Sequence, residues 1–126
     1  MSRHNESQLQ QCCVKWFRLQ YPGLSRVLFA VPNGGKRLKT EASIMFGEGV
    51  VSGVSDLILL VPNKTYHALC IELKWGEGKQ TENQRIWQEA VEELGYKYVI
   101  CRTFDEFYSE VNGYLTDTIF IKKCVL

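Results

Sequence analysis

A single carboxylate most restricts the ways this chain can fold. Glu72 stands inside Ala68–Leu73, a run whose other residues are alanine, leucine, cysteine and isoleucine. A continuously apolar run is the pattern of a strand covered on both faces. An acid buried there is costly unless it is paired or bound to a cation. The preceding apolar run, Leu57–Val61, begins directly after Asp56. Pro62-Asn63-Lys64-Thr65 separates the two runs and reads as a turn, so an antiparallel pair is expected, with Asp56 beside the far end of the second strand. Side chains alternate faces along a strand, which puts Glu72 and Lys74 on one side. Two carboxylates and an ammonium then converge on one corner of a sheet. Such carboxylates repel unless a cation lies between them, and hard oxygen donors suit Mg²⁺ or Mn²⁺. Each residue also has a plainer role open to it. Glu72 and Lys74 would form an edge ion pair, and Asp56 would serve where its strand begins.

The rest of the chain supplies elements around this corner. Residues 5–20 have helical spacing, with Leu9, Cys12, Cys13, Trp16 and Phe17 on one face. Asn5 followed by Gln8 fits an N-cap, which would place Glu6 in the first turn as a complement to the helix dipole. Pro22-Gly23 stops this helix. Arg26–Val31 reads as a strand, and Pro32–Arg37 as a Gly-rich loop ending in two cations. That loop is either a plain turn or a phosphate-contacting segment; it lacks the spacing of a Walker A motif. Thr40–Glu48 suits a short helix capped by Thr40. Thr81–Leu94 is a strong helix prediction, with Thr81 and Gln84 as a capping box, an apolar face of Ile86, Trp87, Ala90, Val91 and Leu94, and Gly95 as its stop. Tyr96–Cys101 is a further strand. Thr103 starts a last helix, with Glu106 at the capping-box position and Phe104, Phe107, Tyr108, Val111 and Leu115 as contacts. The tail from Thr118 has strand character. The order α-β-α-β-β-α-β-α implies an α/β fold, a mixed central sheet flanked by helices. The passage from 68 to 101 is expected to be a right-handed parallel crossover.

At 126 residues the chain is expected to be one domain, 1–126, with enough apolar content to need no disulfide staples. Its five cysteines are odd in number and contain no CxxC pair, which argues for reduced thiols in a cytoplasmic setting and against a zinc site. No apolar run is long enough for a membrane span. Charge is uneven. Residues 1–40 carry seven Lys/Arg against one acid, Glu6, although the whole chain is only +1. A basic N-terminal third suits an anionic polymer, unless it is scatter on a solvated surface.

This ordered set resembles the PD-(D/E)xK nuclease superfamily, and within it the small VRR-NUC (virus-type replication-repair nuclease) domain. The residues that carry the resemblance are Glu6, Pro32-Asn33-Gly34, Gly53-Val54-Ser55-Asp56-Leu57, Glu72-Leu73-Lys74, Thr81-x-x-Gln84 with Trp87, and Gly95-Tyr96. Ser55 replaces the proline of the superfamily pattern. The resemblance implies a restriction-endonuclease-like fold and a metal-dependent DNA endonuclease. Asp56, Glu72 and the Leu73 carbonyl would hold Mg²⁺ or Mn²⁺, with Glu6 reaching the cation directly or through water. Lys74 would position the attacking water, and Gln84 would orient Lys74 or that water. Asn33, Lys36, Arg37 and Lys39 are the expected DNA-backbone contacts. Free-standing domains of this kind in phages and bacteria imply a homodimer acting on branched DNA in the cytoplasm during repair. A Holliday-junction resolvase fits that symmetry, and a nicking or flap nuclease is the neighbouring option. A binding module without turnover would share the fold but would have no use for so costly a corner. A sequence-specific restriction enzyme would need recognition segments for which the chain has little room.

Overall fold

The structure, a computed structural model, describes residues 2–32 and 39–118, with the side chains of Ser2, Arg3 and Lys39 outside that set. Asn33, Lys36 and Arg37, the Lys39 side chain and the tail from Ile119 therefore lie outside the described residues. The elements are α1 (Ser2–Gln20), a short 3-10 turn (Pro22–Leu24), β1 (Leu28–Ala30), α2 (Lys39–Gly47), β2 (Leu57–Leu59), β3 (Leu69–Leu73), α3 (Glu82–Glu93), β4 (Lys97–Cys101) and α4 (Phe104–Thr116). This is the expected order.

The four strands lie side by side in chain order. β1 and β2 pair antiparallel, as do β2 and β3, with Leu57 opposite Ile71. β3 and β4 pair parallel, with Glu72 opposite Ile100. Parallel strands need a long crossover, and α3 provides it. The link between β2 and β3 is longer than a tight turn. Asn63 organises it, its Oδ1 accepting from the backbone N–H groups of Thr65 and Tyr66. Its Nδ2 donates to the Tyr114 carbonyl.

Alternation along the strands divides the molecule into two layers. Leu57, Leu59, Leu69, Ile71 and Leu73 are buried in one core with Leu9, Cys13 and Phe17 of α1 and Phe107, Val111 and Leu115 of α4. Burying each such side chain contributes about 1.5–3 kcal/mol. Tyr114, absent from the expected contacts of α4, also joins this core, and its hydroxyl donates to the Val61 carbonyl at 2.6 Å. Cys70, Glu72 and Tyr98 face the other way, towards α3, where Trp87 packs on Tyr98. Among the described residues no helix is long and apolar enough to cross a membrane, and the four described cysteines are all free.

Several local expectations are corrected. α1 begins at Ser2, so Asn5 is not its N-cap, and Gln8 instead contacts the His4 ring at 3.2 Å. Cys12 is exposed, because adjacent helical residues diverge by about 100° and Cys13 takes the core position. α2 starts at Lys39, which places Thr40 inside it rather than at its cap. In α4 the Thr103 hydroxyl accepts from Glu106 N–H, but the Glu106 carboxylate reaches back to the Arg102 N–H, not to that of Thr103. Ile86 and Leu94, expected on the apolar face of α3, are exposed, whereas Tyr108, half-exposed, does pack on Trp16 at 5.0 Å between ring centroids.

Candidate active site

The antiparallel register carries Asp56, one residue before β2, to the side of Glu72 near the end of β3. Asp56 Oδ2 accepts the Leu73 backbone N–H at 2.7 Å, which fixes the carboxylate at the sheet corner. Ser55 is fully buried, and its hydroxyl donates to the Leu57 carbonyl, so it holds the beginning of β2. Glu72 is 2% exposed. Its Oε2 lies 3.8 Å from Lys74 Nζ and accepts from Gln84 Nε2 at 2.8 Å. Its Oε1 is the one buried side-chain oxygen or nitrogen among the described residues with no hydrogen-bond partner.

The electrostatics follow from this crowding. Burial, then the neighbouring Asp56 charge, push the Glu72 carboxyl up to about 8, against the opposing pull of Lys74. Burial also raises Asp56, opposed chiefly by the Leu73 N–H. With both carboxyls ionised, Glu72 Oε1 has no donor. With one proton between them, Glu72 donates it to Asp56, which adds to the rise at Glu72 and opposes the rise at Asp56. A donorless oxygen in a buried carboxylate pair is what a hard divalent cation would complete.

Gln84 is placed by two local devices. The capping box is present in full: Gln84 N–H bonds the Thr81 hydroxyl, and Gln84 Oε1 accepts from Thr81 N–H. That leaves the amide nitrogen free to reach Glu72, so capping and site contact are served by opposite ends of one side chain. Lys74 or the attacking water is the expected partner; in the structure the partner of the amide nitrogen is Glu72. The segment before Asp56 is also fastened to α3. Asn83 Nδ2 donates to Ser52 Oγ at 3.1 Å. Gly53 adopts φ +91°, and a Cβ there would stand 2.9 Å from Gln84 N and closer still to the Asn83 carbonyl. Only glycine allows that approach.

Glu6 stands apart from the carboxylate pair but next to it in space. Because α1 begins at Ser2, no acid lies in its first turn, and the dipole role expected for Glu6 falls away. Its Oε2 instead accepts the Trp75 N–H at 3.3 Å, across the chain from the residue after Lys74. Among the described residues no trio of His, Cys, Asp or Glu is arranged to hold a metal ion. The corner offers two carboxylates with Glu6 at its rim.

Sequence reasoning missed Arg102. Its Nη1 donates to the Gly76 carbonyl at 3.0 Å and the Gly78 carbonyl at 2.7 Å, holding the loop that leaves the corner. No pattern signals this, because the acceptors are backbone atoms. A cleft of about 560 Å³ lined by Ile100, Arg102, Asp105, Glu106, Ser109 and Glu110 opens beyond that arginine. It contains none of Asp56, Glu72 and Lys74, and its three acids would repel a polyanion.

The VRR-NUC domain family model matches residues 4–105, a span that contains every residue of this corner. A solved structure titled "VRR_NUC domain protein" is similar with a TM-score of 0.78 and 26% identity, over 90% of this chain and 89% of that one. None of the curated proteins compared with the chain matches it.

Proposed function

The chain belongs to the VRR-NUC domain family, a nuclease family, and from that membership and its carboxylate corner we propose that it is a metal-dependent DNA endonuclease selective for branched DNA. The observation that carries the proposal is the Glu72 carboxylate, buried beside Asp56 with one oxygen unpartnered. Nothing in folding requires so costly a group there. Asp56, Glu72 and the Leu73 carbonyl would hold Mg²⁺ or Mn²⁺. Once bound, the cation supplies Lewis-acid neutralisation of the phosphate and a water of lowered pKa.

The chain's own groups do the rest. Gln84 and Lys74 both engage Glu72 Oε2, which leaves Oε1 for the cation. Lys74 is 8% exposed, so its ammonium meets the developing phosphorane charge with little competing water. Glu6, committed to Trp75 N–H, would act on the cation through water. Asn33, Lys36, Arg37 and Lys39 would contact the DNA backbone. The product would carry a 5′-phosphate. A homodimer would suit a two-fold junction. It is supported by apolar side chains left in solvent on and after α2: Ile44, Phe46, Val50 and Val51.

The test is cleavage of duplex, single-stranded, flapped, forked and four-way-junction DNA with Mg²⁺, Mn²⁺ or EDTA, beside Asp56→Asn. Metal-dependent cutting of branched DNA, lost in the variant, is expected. Cutting in EDTA, or by Asp56→Asn, would overturn the metal mechanism. Sedimentation of the free protein tests the dimer.

A further inference from the structure

The three tryptophans have different surroundings. Trp16 packs edge-on against Tyr21, Phe104 and Phe107, and Trp87 packs at a tilt against Tyr98. Trp75 is 44% exposed and, among the described residues, touches no other ring. It directly follows Lys74, so the largest exposed aromatic surface next to the corner is a free indole.

That indole stands on a fastened loop. Trp75 N–H is held by Glu6 from α1 at 3.3 Å. Trp75 O accepts from Gly78 N–H at 3.2 Å, closing a turn in which Gly76 takes φ +61°. Arg102, at the end of β4, grips both glycine carbonyls through one nitrogen. A glycine-rich segment, free to adopt many conformations, is thereby tied to two other elements. This lowers the entropic loss on ordering it around a ligand.

We propose that Trp75 contacts substrate, offering its face to an unpaired base beside the scissile phosphate, and that Arg102 is the positioning residue that holds this platform. The inference rests on the nuclease reading above and specifies its substrate. In continuous duplex each base has both faces covered by its neighbours. An unpaired or terminal base has one to offer, and every base has a π-face, so such a contact selects structure without reading sequence. The acidic cleft beyond Arg102 keeps the strand off that side.

The experiment compares a continuous duplex with the same duplex carrying an unpaired flap. Cleavage is measured with Mg²⁺, and binding by anisotropy with Ca²⁺. Base stacking implies that Trp75→Ala raises KM and Kd on the flapped DNA about tenfold more than on the duplex. Its kcat should stay close to wild type, and Trp75→Phe should recover most of the loss. Arg102→Ala should reproduce the Trp75→Ala pattern at an unchanged melting temperature. Arg102→Lys should restore it, because one ammonium can serve both carbonyls. Equal losses on the two DNAs, a failure of Phe to rescue, or an effect on kcat alone would overturn the proposal. If the wild type cuts neither DNA, the nuclease reading fails, and the binding comparison still decides the role of Trp75.

Discussion

Replacing Glu72 by glutamine is expected to make the metal-free protein more stable and inactive at once. The side chain is 2% exposed, and its carboxyl is pushed from an ordinary 4.5 up to about 8. A folded-state value above the unfolded one means that the stabilising contribution is complete below about pH 4.5. It is then lost as pH climbs towards 8, because the unfolded chain releases its proton first. At about 1.36 kcal/mol for each pH unit, the ceiling on that loss is about 5 kcal/mol, of which about 4 is reached by pH 8. Glutamine has no proton to lose. Its oxygen can accept from Gln84 as Glu72 Oε2 does at 2.8 Å, and its nitrogen can donate to Asp56 as the protonated acid would. Against this gain stands Lys74, 8% exposed, which loses its partner at 3.8 Å. An unpaired buried polar group costs about 1–3 kcal/mol, so the net gain at pH 8 is about 1–3 kcal/mol. Urea unfolding in EDTA measures it at about pH 5 and about pH 8, and the difference between variant and wild type should open with rising pH. A Glu72→Gln protein no more stable at the higher pH, or equally shifted at both, would refute the reasoning. Added Mg²⁺ should stabilise the wild type and not the variant, with cleavage lost in the variant.

Lys74→Ala should lower kcat about a hundredfold to a thousandfold while DNA affinity measured by anisotropy is largely kept. Gln84→Glu retains the capping-box acceptor for Thr81 N–H but sets a carboxylate 2.8 Å from Glu72 in place of a donor. Denaturation at pH 8 should show a loss of about 1.5–3 kcal/mol, smaller at acid pH where the pair is protonated. Gly53→Ala should unfold more easily by over about 2 kcal/mol, since it combines a φ of +91° with a collision against the α3 backbone. A melting temperature equal to wild type would remove the claim that this contact fastens α3 to the corner. Reversing the charges of Lys36 and Arg37 should weaken DNA binding and flatten its dependence on salt, read from Kd over a salt series.

The order of elements was legible because it rests on local rules. The 3.6-residue spacing of Leu9, Cys13, Phe17 and of Phe107, Val111, Leu115 marks two core-facing helices. The apolar runs at 57–61 and 68–73, the second broken only by Glu72, mark central strands. The same rules misplaced the N-cap of α1, because a helix can start before any favoured cap residue when its later turns are packed. They also missed Tyr114, whose buried hydroxyl is satisfied by the Val61 carbonyl from the link after β2.

The carboxylate corner divides in the same way. That Glu72 would be buried, and that Asp56 and Lys74 would flank it, followed from strand alternation and one turn. The company it keeps did not follow. Gln84 has one amide end on Thr81 and the other on Glu72, and only the packing of α3 on β3 makes both contacts possible. Glu6 lies 69 positions from its partner Trp75, and Arg102 binds backbone carbonyls that any residues would present. The sequence by itself determined a buried acid that demands compensation. The tertiary structure decided which of its oxygens is satisfied and which is left open, because hydrogen bonds are directional and their partners arrive from elements that share no local pattern.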